Sequence, residues 1–273
     1  MIKLFKHQRE TLEHHVKNRG VSLDLSDPGT GKTISTLAYL AKYKDKVGHI
    51  RALVIAPKSV MLDAWQKDLK HFDNLSSVIV TGTATQKKAA FAEVVDVYIT
   101  NYETLLKYDL CYSGITHLVC DEGVKLKNHS AKWTKAITKL SKHTKCRIII
   151  SGLLTPNNLM EIYSPINILD PQLLGISFWA FRAMYFNETR YDIRKQGKNI
   201  VIRNYMPKNG ALESITKKIA HLVIRHEKSK VLDLPAKLWS TRTVDMLPEQ
   251  KRIYNEMKKD AVAKVRDITV SSI

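Results

Sequence analysis

The chain has little cysteine, no long apolar segment and few acidic residues. Its three cysteines, Cys111, Cys120 and Cys146, lack the C-x-x-C spacing of zinc sites and redox motifs. We therefore expect free thiols in a reducing intracellular compartment, which includes the cytoplasm, the nucleoid and the nucleus. No apolar run approaches the roughly 18 residues of a membrane span, and the N-terminal MIKLFKHQRE has no signal-peptide core. These absences argue against a disulfide scaffold and against a membrane partner.

The shortage of acids leaves a large positive charge. Lys and Arg number 44 against 26 Asp and Glu, a net charge of +18 at neutral pH. Such a surplus is typical of proteins that bind a polyanion, and a merely soluble domain needs less charge of one sign. The 273 residues, 44% of them hydrophobic, suffice for one large domain or two small ones. Nucleic acid is the expected partner.

The segment LSDPGTGKT, residues 25–33, predicts a phosphate loop. It lies between an apolar run and a helical pattern, and its glycines allow backbone N–H groups to face phosphate oxygens at a helix N-terminus. Lys32 would reach the β- and γ-phosphates of ATP, and the Thr33 hydroxyl would ligate Mg²⁺. Ser26 replaces the usual first glycine, and a glycine-rich turn with a chance Lys-Thr is the alternative. The expected nucleotide-binding residues of the loop are Asp27, Gly29, Thr30, Gly31, Lys32 and Thr33.

Alternating patterns predict an α/β fold with a parallel sheet flanked by helices. Strand-like apolar runs cover residues 21–25, 52–57, 77–81, 97–102, 117–122 and 147–152. Helical patterns follow Thr33 and cover residues 60–72, 86–95 and 131–140. In such sheets ligands bind at the carboxyl ends of strands, where both the phosphate loop and the pair Asp121-Glu122 fall. There, Asp121 would hold the Mg²⁺ and Glu122 would orient and deprotonate the attacking water, unless the pair merely faces solvent.

The order of six motifs resembles a known family. LFKHQ, SDPGTGKT, VIAPKSVMLDAW, ITNYETL, DEGVKLKN and SGLLTPNN occur in the order found in the first RecA-like lobe of Swi/Snf-type ATPases, DNA translocases of helicase superfamily two. The later FWAFRAMYF, IRHEKSKVLDLPAKL and LPEQKRIYNEM also resemble that family. The resemblance implies a RecA-like ATP-binding lobe over residues 1–172. It also implies a helical insertion and inter-lobe linker region over residues 173–273.

The resemblance also implies roles for individual residues. Gln8 matches a glutamine that reads the adenine edge, although it could be a surface residue of an N-terminal helix. Trp65 matches a family tryptophan, but its helical spacing with Leu62 and Leu69 predicts a core position. Apart from the resemblance, the spacing of Phe178, Phe181, Arg182 and Tyr185 predicts a helix that packs an aromatic face on the lobe, with a solvated basic face favoured over a stacking platform. Positions that match DNA-backbone segments, or that could link them to the ATP site, are Lys58, Ser59, Asn101, Tyr102, Lys125, Lys127 and Asn128.

The chain departs from the family pattern in two places and ends early. Val124 replaces a histidine, and Leu153-Leu154 replaces a Thr-Pro, so a Val124–Leu153 contact could substitute packing for a polar link. After Gln250 only one helix-like stretch remains, and no second RecA-like lobe with its arginine fingers is recognisable. We therefore expect that lobe in cis or in trans, and weak ATPase activity without it.

Three functions compete at this point. The first is the ATP-binding lobe of a DNA-dependent ATPase that moves on double-stranded DNA through backbone contacts, with ATP and Mg²⁺ as cofactors. The second is a degenerate or isolated lobe that binds DNA or a partner with little ATPase activity. The third, another P-loop enzyme such as a kinase, fits the Asp121-Glu122 pair less well. We favour the first.

Overall fold

Six of the predicted apolar runs form strands of one parallel sheet. The computed structural model describes residues 2–107, 114–153, 158–195, 198–233, 239–255 and 257–258. The sheet strands are β1 (Val21–Asp24), β2 (Ala52–Ile55), β3 (Ser77–Ile79), β4 (Val97–Thr100), β5 (His117–Asp121), β6 (Cys146–Ile150) and β9 (Val223–Ile224). Their order is β3-β4-β2-β5-β6-β1-β9, and all neighbours pair in parallel. The predicted α/β class is therefore confirmed.

Helices cover both faces of the sheet. They are α1 (Lys6–Lys17), α2 (Lys32–Val47), α3 (Lys58–Val60), α4 (Lys67–Leu69), α5 (Ala84–Ala92), α6 (Tyr102–Leu105), α7 (Lys132–Ser141), α8 (Tyr163–Leu169), α9 (Phe178–Tyr185), α10 (Ala211–Ile219) and α11 (Lys228–Val231). Along β5, Leu118 packs into one core layer with α7 to α10, and Val119 packs into the other layer with α2 and α4. Burial on both faces is the reason why the central strands are mostly apolar.

The predicted helix over residues 60–72 is interrupted by a π-helical segment, Met61–Gln66, between α3 and α4. The wider π turn places Met61 and Trp65 in the core and leaves Leu62 55% exposed. The placement of Leu62 on the buried face was therefore wrong, while the core position of Trp65 is confirmed, at 0% exposed.

The segment after residue 172 is not purely helical, contrary to the prediction from sequence. The helix α9 buries Phe181 and Tyr185 as expected. It is followed by an antiparallel hairpin of two ten-residue strands, β7 (Phe186–Lys195) and β8 (Lys198–Pro207), and by α10. The chain then returns to the sheet as β9.

The chain divides into two compact units, Met1–Asp233 and Leu234–Ile273. In the second unit, residues 248–255 are helical. No helix in the described part of the chain is long and apolar enough to cross a bilayer. Cys120 and Cys146 are buried free thiols, and Cys111 lies outside the described residues.

Acidification is expected to destabilise the first unit through two buried histidines. Burial, with a smaller effect of His14, lowers the pKa of His15 to about 3, and its Nδ1 lies 2.6 Å from Ser22 Oγ. Burial and the nearby Lys145 lower the pKa of His117 to about 4. Unfolding raises both pKa values toward 6.5, so below that pH the unfolded chain binds more protons and stability falls as the pH falls. Between pH 7.5 and 5, each histidine should cost about 2 kcal/mol.

Denaturant titrations at pH 7.5 and 5 measure this loss. The His117→Phe variant keeps an aromatic ring without a titrating group, and it should lose about 2 kcal/mol less than the wild type. The exposed His143→Gln variant is the matched control and should behave as the wild type does. The same pH dependence in all three proteins would contradict the explanation.

Candidate nucleotide and nucleic-acid site

The carboxyl end of the parallel sheet gathers most of the predicted site. The phosphate loop follows β1, Lys58 and Ser59 follow β2, and Asp121 ends β5. Only β6 lies between β1 and β5, so the phosphate loop and the acidic pair are two strands apart, about 10 Å. The sheet order therefore brings the phosphate loop and the carboxylates to one edge.

The phosphate loop has the backbone that its glycines predict. Gly29 and Gly31 adopt φ values of 85° and 80°, and Gly31 is the N-cap of α2. Lys32 lies at the first position of α2, and its Nζ donates to the carbonyl oxygens of Ser26, at 2.5 Å, and Asp27, at 3.2 Å. Thr33 follows in the first helical turn. The ammonium of Lys32 is thus held inside the loop where phosphates would be bound.

Ser26, the departure from the usual glycine, has a structural role. Its buried hydroxyl accepts a hydrogen bond from the backbone N–H of His226 at 3.0 Å, and its own N–H donates to Asp24 Oδ1 at 2.9 Å. Burial raises the pKa of the Asp24 carboxyl, although Ser26 and Lys32 oppose this shift. Ser26 therefore fixes the start of the loop partly through its hydroxyl, a contact that a glycine would lack.

A distant segment, residues 222–228, also supports the phosphate loop, and sequence reasoning missed it. Asp27 N–H donates to the His226 carbonyl, and Lys228 N–H donates to Asp27 Oδ2, both at 2.9 Å. The Lys228 ammonium lies 3.4 Å from the position that a Cβ on Gly29 would occupy. The strand β9 places these residues beside β1. A second lysine therefore stands next to the loop.

Gln8 lies against the phosphate loop rather than on the surface. It is 7% exposed, its Nε2 donates to the Thr30 carbonyl at 3.4 Å, and its Oε1 accepts from Phe5 N–H at 3.0 Å. The neighbouring His7 Nε2 lies 2.8 Å from the same carbonyl. A Cβ at Gly31 would clash with the Gln8 amide. The loop thus needs glycine at position 31 partly because Gln8 approaches it so closely.

The two acids at the end of β5 differ in environment. Asp121 is partly buried, and burial raises its carboxyl pKa, but hydrogen bonds from Trp65 Nε1 at 2.8 Å and Glu122 N–H at 2.9 Å, together with the charge of Lys32, oppose the shift. Glu122 adopts φ 53° and is exposed. The left-handed turn points the two carboxylates into different surroundings, as a metal ligand and a base for water require. The Trp65 contact was not foreseen.

The two sheet-edge segments predicted to contact DNA differ in exposure. Lys58 and Ser59 are exposed at the start of α3. Asn101 and Tyr102 are 3% and 1% exposed. Asn101 caps α6 by accepting from Thr104 N–H, and the Tyr102 hydroxyl donates to the Asp121 carbonyl at 2.6 Å. Both side chains are buried here and position the strand ends, and their contact with DNA stays a prediction.

The segment after the acidic pair is polar and partly exposed. Lys125 and Asn128 are exposed, and the Lys125 ammonium lies 5.2 Å from the ring centre of Tyr102. Lys127 forms an ion pair with Glu161 at 3.4 Å. The Asn128 side chain accepts from the N–H and hydroxyl of Ser130. This segment thus connects the Asp121 strand end to an exposed surface.

The predicted packing of Val124 against Leu153 has no support here. Leu153 is 59% exposed, and Leu154 lies outside the described residues. The adjacent Gly123 is buried against β6, where a Cβ would clash with the Ile149 side chain. The Asp-Glu-Gly sequence therefore ends in glycine for a packing reason.

The residues at this edge fit a nucleoside triphosphate with Mg²⁺. The glycines form a loop that side chains would fill, and Lys32 provides a cation within it. The Thr33 hydroxyl and the Asp121 carboxylate are hard oxygen ligands of the kind that Mg²⁺ prefers. No group of three or more His, Cys, Asp or Glu that could hold a metal occurs among the described residues. A Mg²⁺ here would therefore depend on few protein ligands and on phosphate oxygens.

The chain matches the sequence profile of a known family. A profile of the SNF2-related domain matches residues 7–272, and the chain therefore belongs to the SNF2-related family.

Relatives of known sequence agree with this assignment. The TATA-binding protein-associated factor mot1 of Schizosaccharomyces pombe is 27% identical over 256 residues, which cover 84% of this chain and 12% of that protein. The protein CHROMATIN REMODELING 24 of Arabidopsis thaliana is 28% identical over 253 residues, 84% of this chain and 22% of that protein. The chain thus spans a quarter or less of these relatives.

A solved structure shares the fold. The Sulfolobus solfataricus SWI2/SNF2 ATPase core in complex with dsDNA matches 97% of this chain and 54% of its own length, with a TM-score of 0.68 and 23% sequence identity. Since this chain corresponds to about half of that core, the match concerns the lobe described here.

Proposed function

We propose that this chain is the ATP-binding lobe of a DNA-dependent ATPase that couples ATP hydrolysis to movement on double-stranded DNA. The observation that carries the proposal is the meeting of Lys32, at the phosphate loop, and the Asp121-Glu122 pair on one edge of the sheet. Membership of the SNF2-related family supports it, as does the shared fold with an ATPase core that was solved in complex with dsDNA. A net charge of +18 suits a polyanionic track.

The residues at this sheet edge have different roles in the binding and hydrolysis of ATP. Lys32 leaves the carbonyls of Ser26 and Asp27 and binds the terminal phosphates, while the loop N–H groups and the start of α2 bind the remaining charge. Thr33 and Asp121 would hold Mg²⁺, which when bound neutralises charge on the phosphates. Glu122, exposed beside Asp121, accepts the proton of the attacking water. Gln8 reads the adenine edge from its place against the loop.

The DNA backbone is bound by the exposed part of the same edge. Lys58, Ser59, Lys125, Lys127 and Asn128 provide donors for phosphate oxygens, and such contacts carry little sequence information. Asn101 and Tyr102 act indirectly, by fixing the ends of β4 and β5. Tyr102 contacts both the Lys125 ammonium and the Asp121 carbonyl. A DNA contact at Lys125 would therefore affect the position of Asp121, the proposed metal ligand.

Binding to double-stranded DNA should fall steeply with salt and vary little with sequence. Lys58→Ala and Lys125→Ala should each weaken affinity uniformly and reduce the slope of log K against log salt by about 1, because each removes one phosphate contact. Fluorescence anisotropy with two unrelated duplexes at salt concentrations from about 50 to 200 mM measures both quantities.

The control for this experiment is Lys46→Ala. Lys46 is exposed in the last turn of α2, whose first turn is the one at the phosphate loop, so the same charge is lost far from the proposed track. Affinity that does not respond to salt, or an equal loss for Lys46→Ala, would contradict the proposed DNA surface.

The alternative is a lobe that binds DNA or a partner with little ATPase activity. The apolar Val124 and the exposed Leu153, which do not replace the expected polar link, favour it.

A second RecA-like lobe, in cis or in trans, remains the proposed partner, with residues 173–273 as the region leading toward it. The two buried free thiols support an intracellular, reducing location.

A further inference from the structure

A cavity of about 380 Å³ lies between α7, α8 and the start of α9. These helices pack in the core layer that contains Leu118, whereas α2, which begins at the phosphate loop, packs in the opposite layer with Val119. The cavity is therefore on the other face of the sheet from the helix that carries Lys32. None of the sequence motifs accounts for it.

Two hydroxyls in the wall of the cavity are buried without a partner. Thr134 is 1% exposed and Ser164 is 3% exposed, and both line the cavity. Within the described residues, neither Thr134 Oγ1 nor Ser164 Oγ has a hydrogen-bond partner. Buried hydroxyls are rarely left unsatisfied, because each costs free energy. Both oxygens are closed to solvent in this structure, so a polar ligand in the cavity would satisfy them once these short side chains rotate toward it.

The positive charge around the cavity favours a negatively charged ligand. Lys135 on α7 and Lys142, the C-cap of that helix seven residues later, line it with exposed side chains. None of the described residues that line it is acidic. Burial lowers the pKa of His129, and the positive charges of Lys135 and Arg182 lower it further. The field at the wall is positive, so a ligand with a phosphate group fits it.

One end of the cavity is aromatic. The His129 ring stacks on Phe178 with 3.6 Å between ring centres, and Trp179 beside them is 61% exposed. The Arg182 guanidinium lies 4.4 Å from the ring centre of Trp179. Exposed aromatic rings next to basic groups are the surfaces on which nucleic-acid bases stack.

We propose that this cavity is a second binding site, for a nucleotide unit, separate from the phosphate loop. The phosphate interacts with Lys135, Lys142 and the hydroxyls of Thr134 and Ser164, and the base stacks on the aromatic end at Trp179. The unit is either a free mononucleotide or one nucleotide of a strand, since both present the same phosphate and base.

The test uses the Lys32→Ala chain, so that the phosphate loop does not contribute. Calorimetry with 5′-AMP and anisotropy with a short single-stranded oligonucleotide measure the two sources of the ligand. Thr134→Val keeps the side-chain shape and removes the hydroxyl, and Lys135→Gln removes one charge. Each should weaken binding about tenfold, the loss expected for one hydrogen bond to a charged group.

Thr134→Val also separates a binding role from a structural one. Because the hydroxyl has no partner in the described protein, the variant should melt at the same temperature as its parent or higher, while binding falls. Lys132→Gln is the matched control, since Lys132 is exposed on the same helix but does not line the cavity, and it should leave binding unchanged. Binding of neither probe, no effect of Thr134→Val on binding, or equal losses for Lys132→Gln and Lys135→Gln would overturn the proposal.

Discussion

Replacing Lys32 with alanine is expected to weaken Mg²⁺-ATP binding at least about 100-fold, because two charge-assisted contacts to phosphate are lost at about 1.5 kcal/mol or more each. In the free protein the Lys32 ammonium donates to the carbonyls of Ser26 and Asp27, which are weaker acceptors than phosphate. Calorimetric titration of Mg²⁺-ATP into residues 1–273 measures the difference.

A matched variant distinguishes this loss from a general loss of charge. Lys46→Ala removes a lysine from the other end of the same helix and should bind ATP as the wild type does. Melting temperatures of both variants show whether α2 is intact. Equal ATP affinity in the wild type and Lys32→Ala would remove the phosphate-loop interpretation, whatever the outcome at the second cavity.

The second large effect concerns turnover. Residues 1–273 alone should hydrolyse ATP slowly even with saturating DNA, and addition of a second RecA-like lobe, joined or separate, should raise turnover by about 10³–10⁵. In the proposed function Lys32 and Glu122 act from the sheet edge, and closing arginines of a second lobe would approach the γ-phosphate from the opposite side. Phosphate release, measured with and without the second lobe, gives the ratio.

Glu122→Gln tests whether the gain uses the proposed base. The amide keeps the size of the side chain but cannot accept a proton from water, so the variant should bind ATP and lose the gain. Glu103→Gln, an exposed carboxylate in the first turn of α6, is the control. Brisk, Glu122-dependent turnover by residues 1–273 alone would show that the catalytic arginines come from elsewhere.

The parallel sheet could be predicted because its strands are buried on both faces. Within the run over residues 147–152, Ile148, Ile149 and Ile150 are consecutive apolar residues, which a strand covered on both faces requires. The hairpin of β7 and β8 was missed because its strands are polar and basic. The alternation of Thr189, Tyr191 and Ile193 before Gly197, a residue type that favours turns, was the signal available in the sequence. The strand β9 has two residues, too few for any periodicity.

Short motifs predict the residues of the site, but they do not predict the hydrogen bonds that hold these residues in place. Lys32 and Thr33 belong to one motif, and the sheet order brings Asp121 near them. The hydrogen bond from Trp65 to Asp121 joins residues 56 apart, and the one from His226 to Ser26 joins residues 200 apart. Such contacts depend on packing of the complete sheet, which no local pattern encodes.

Tyr102 makes a structural contact that its motif did not suggest. Tyr102 follows a strand end, as residues that touch a ligand commonly do, but its ring turns inward and its hydroxyl bonds to the Asp121 carbonyl. Sequence position alone could not separate a residue that contacts DNA from one that holds the proposed metal ligand, Asp121, in place.

The central claim is that one sheet edge couples ATP hydrolysis to double-stranded DNA. Its most direct test is phosphate release by this chain joined to a second lobe, measured with and without duplex DNA at low salt. The account predicts turnover that rises with DNA, falls again with salt, and is lost in Glu122→Gln. Turnover that is the same without DNA, or that persists in Glu122→Gln, would contradict it.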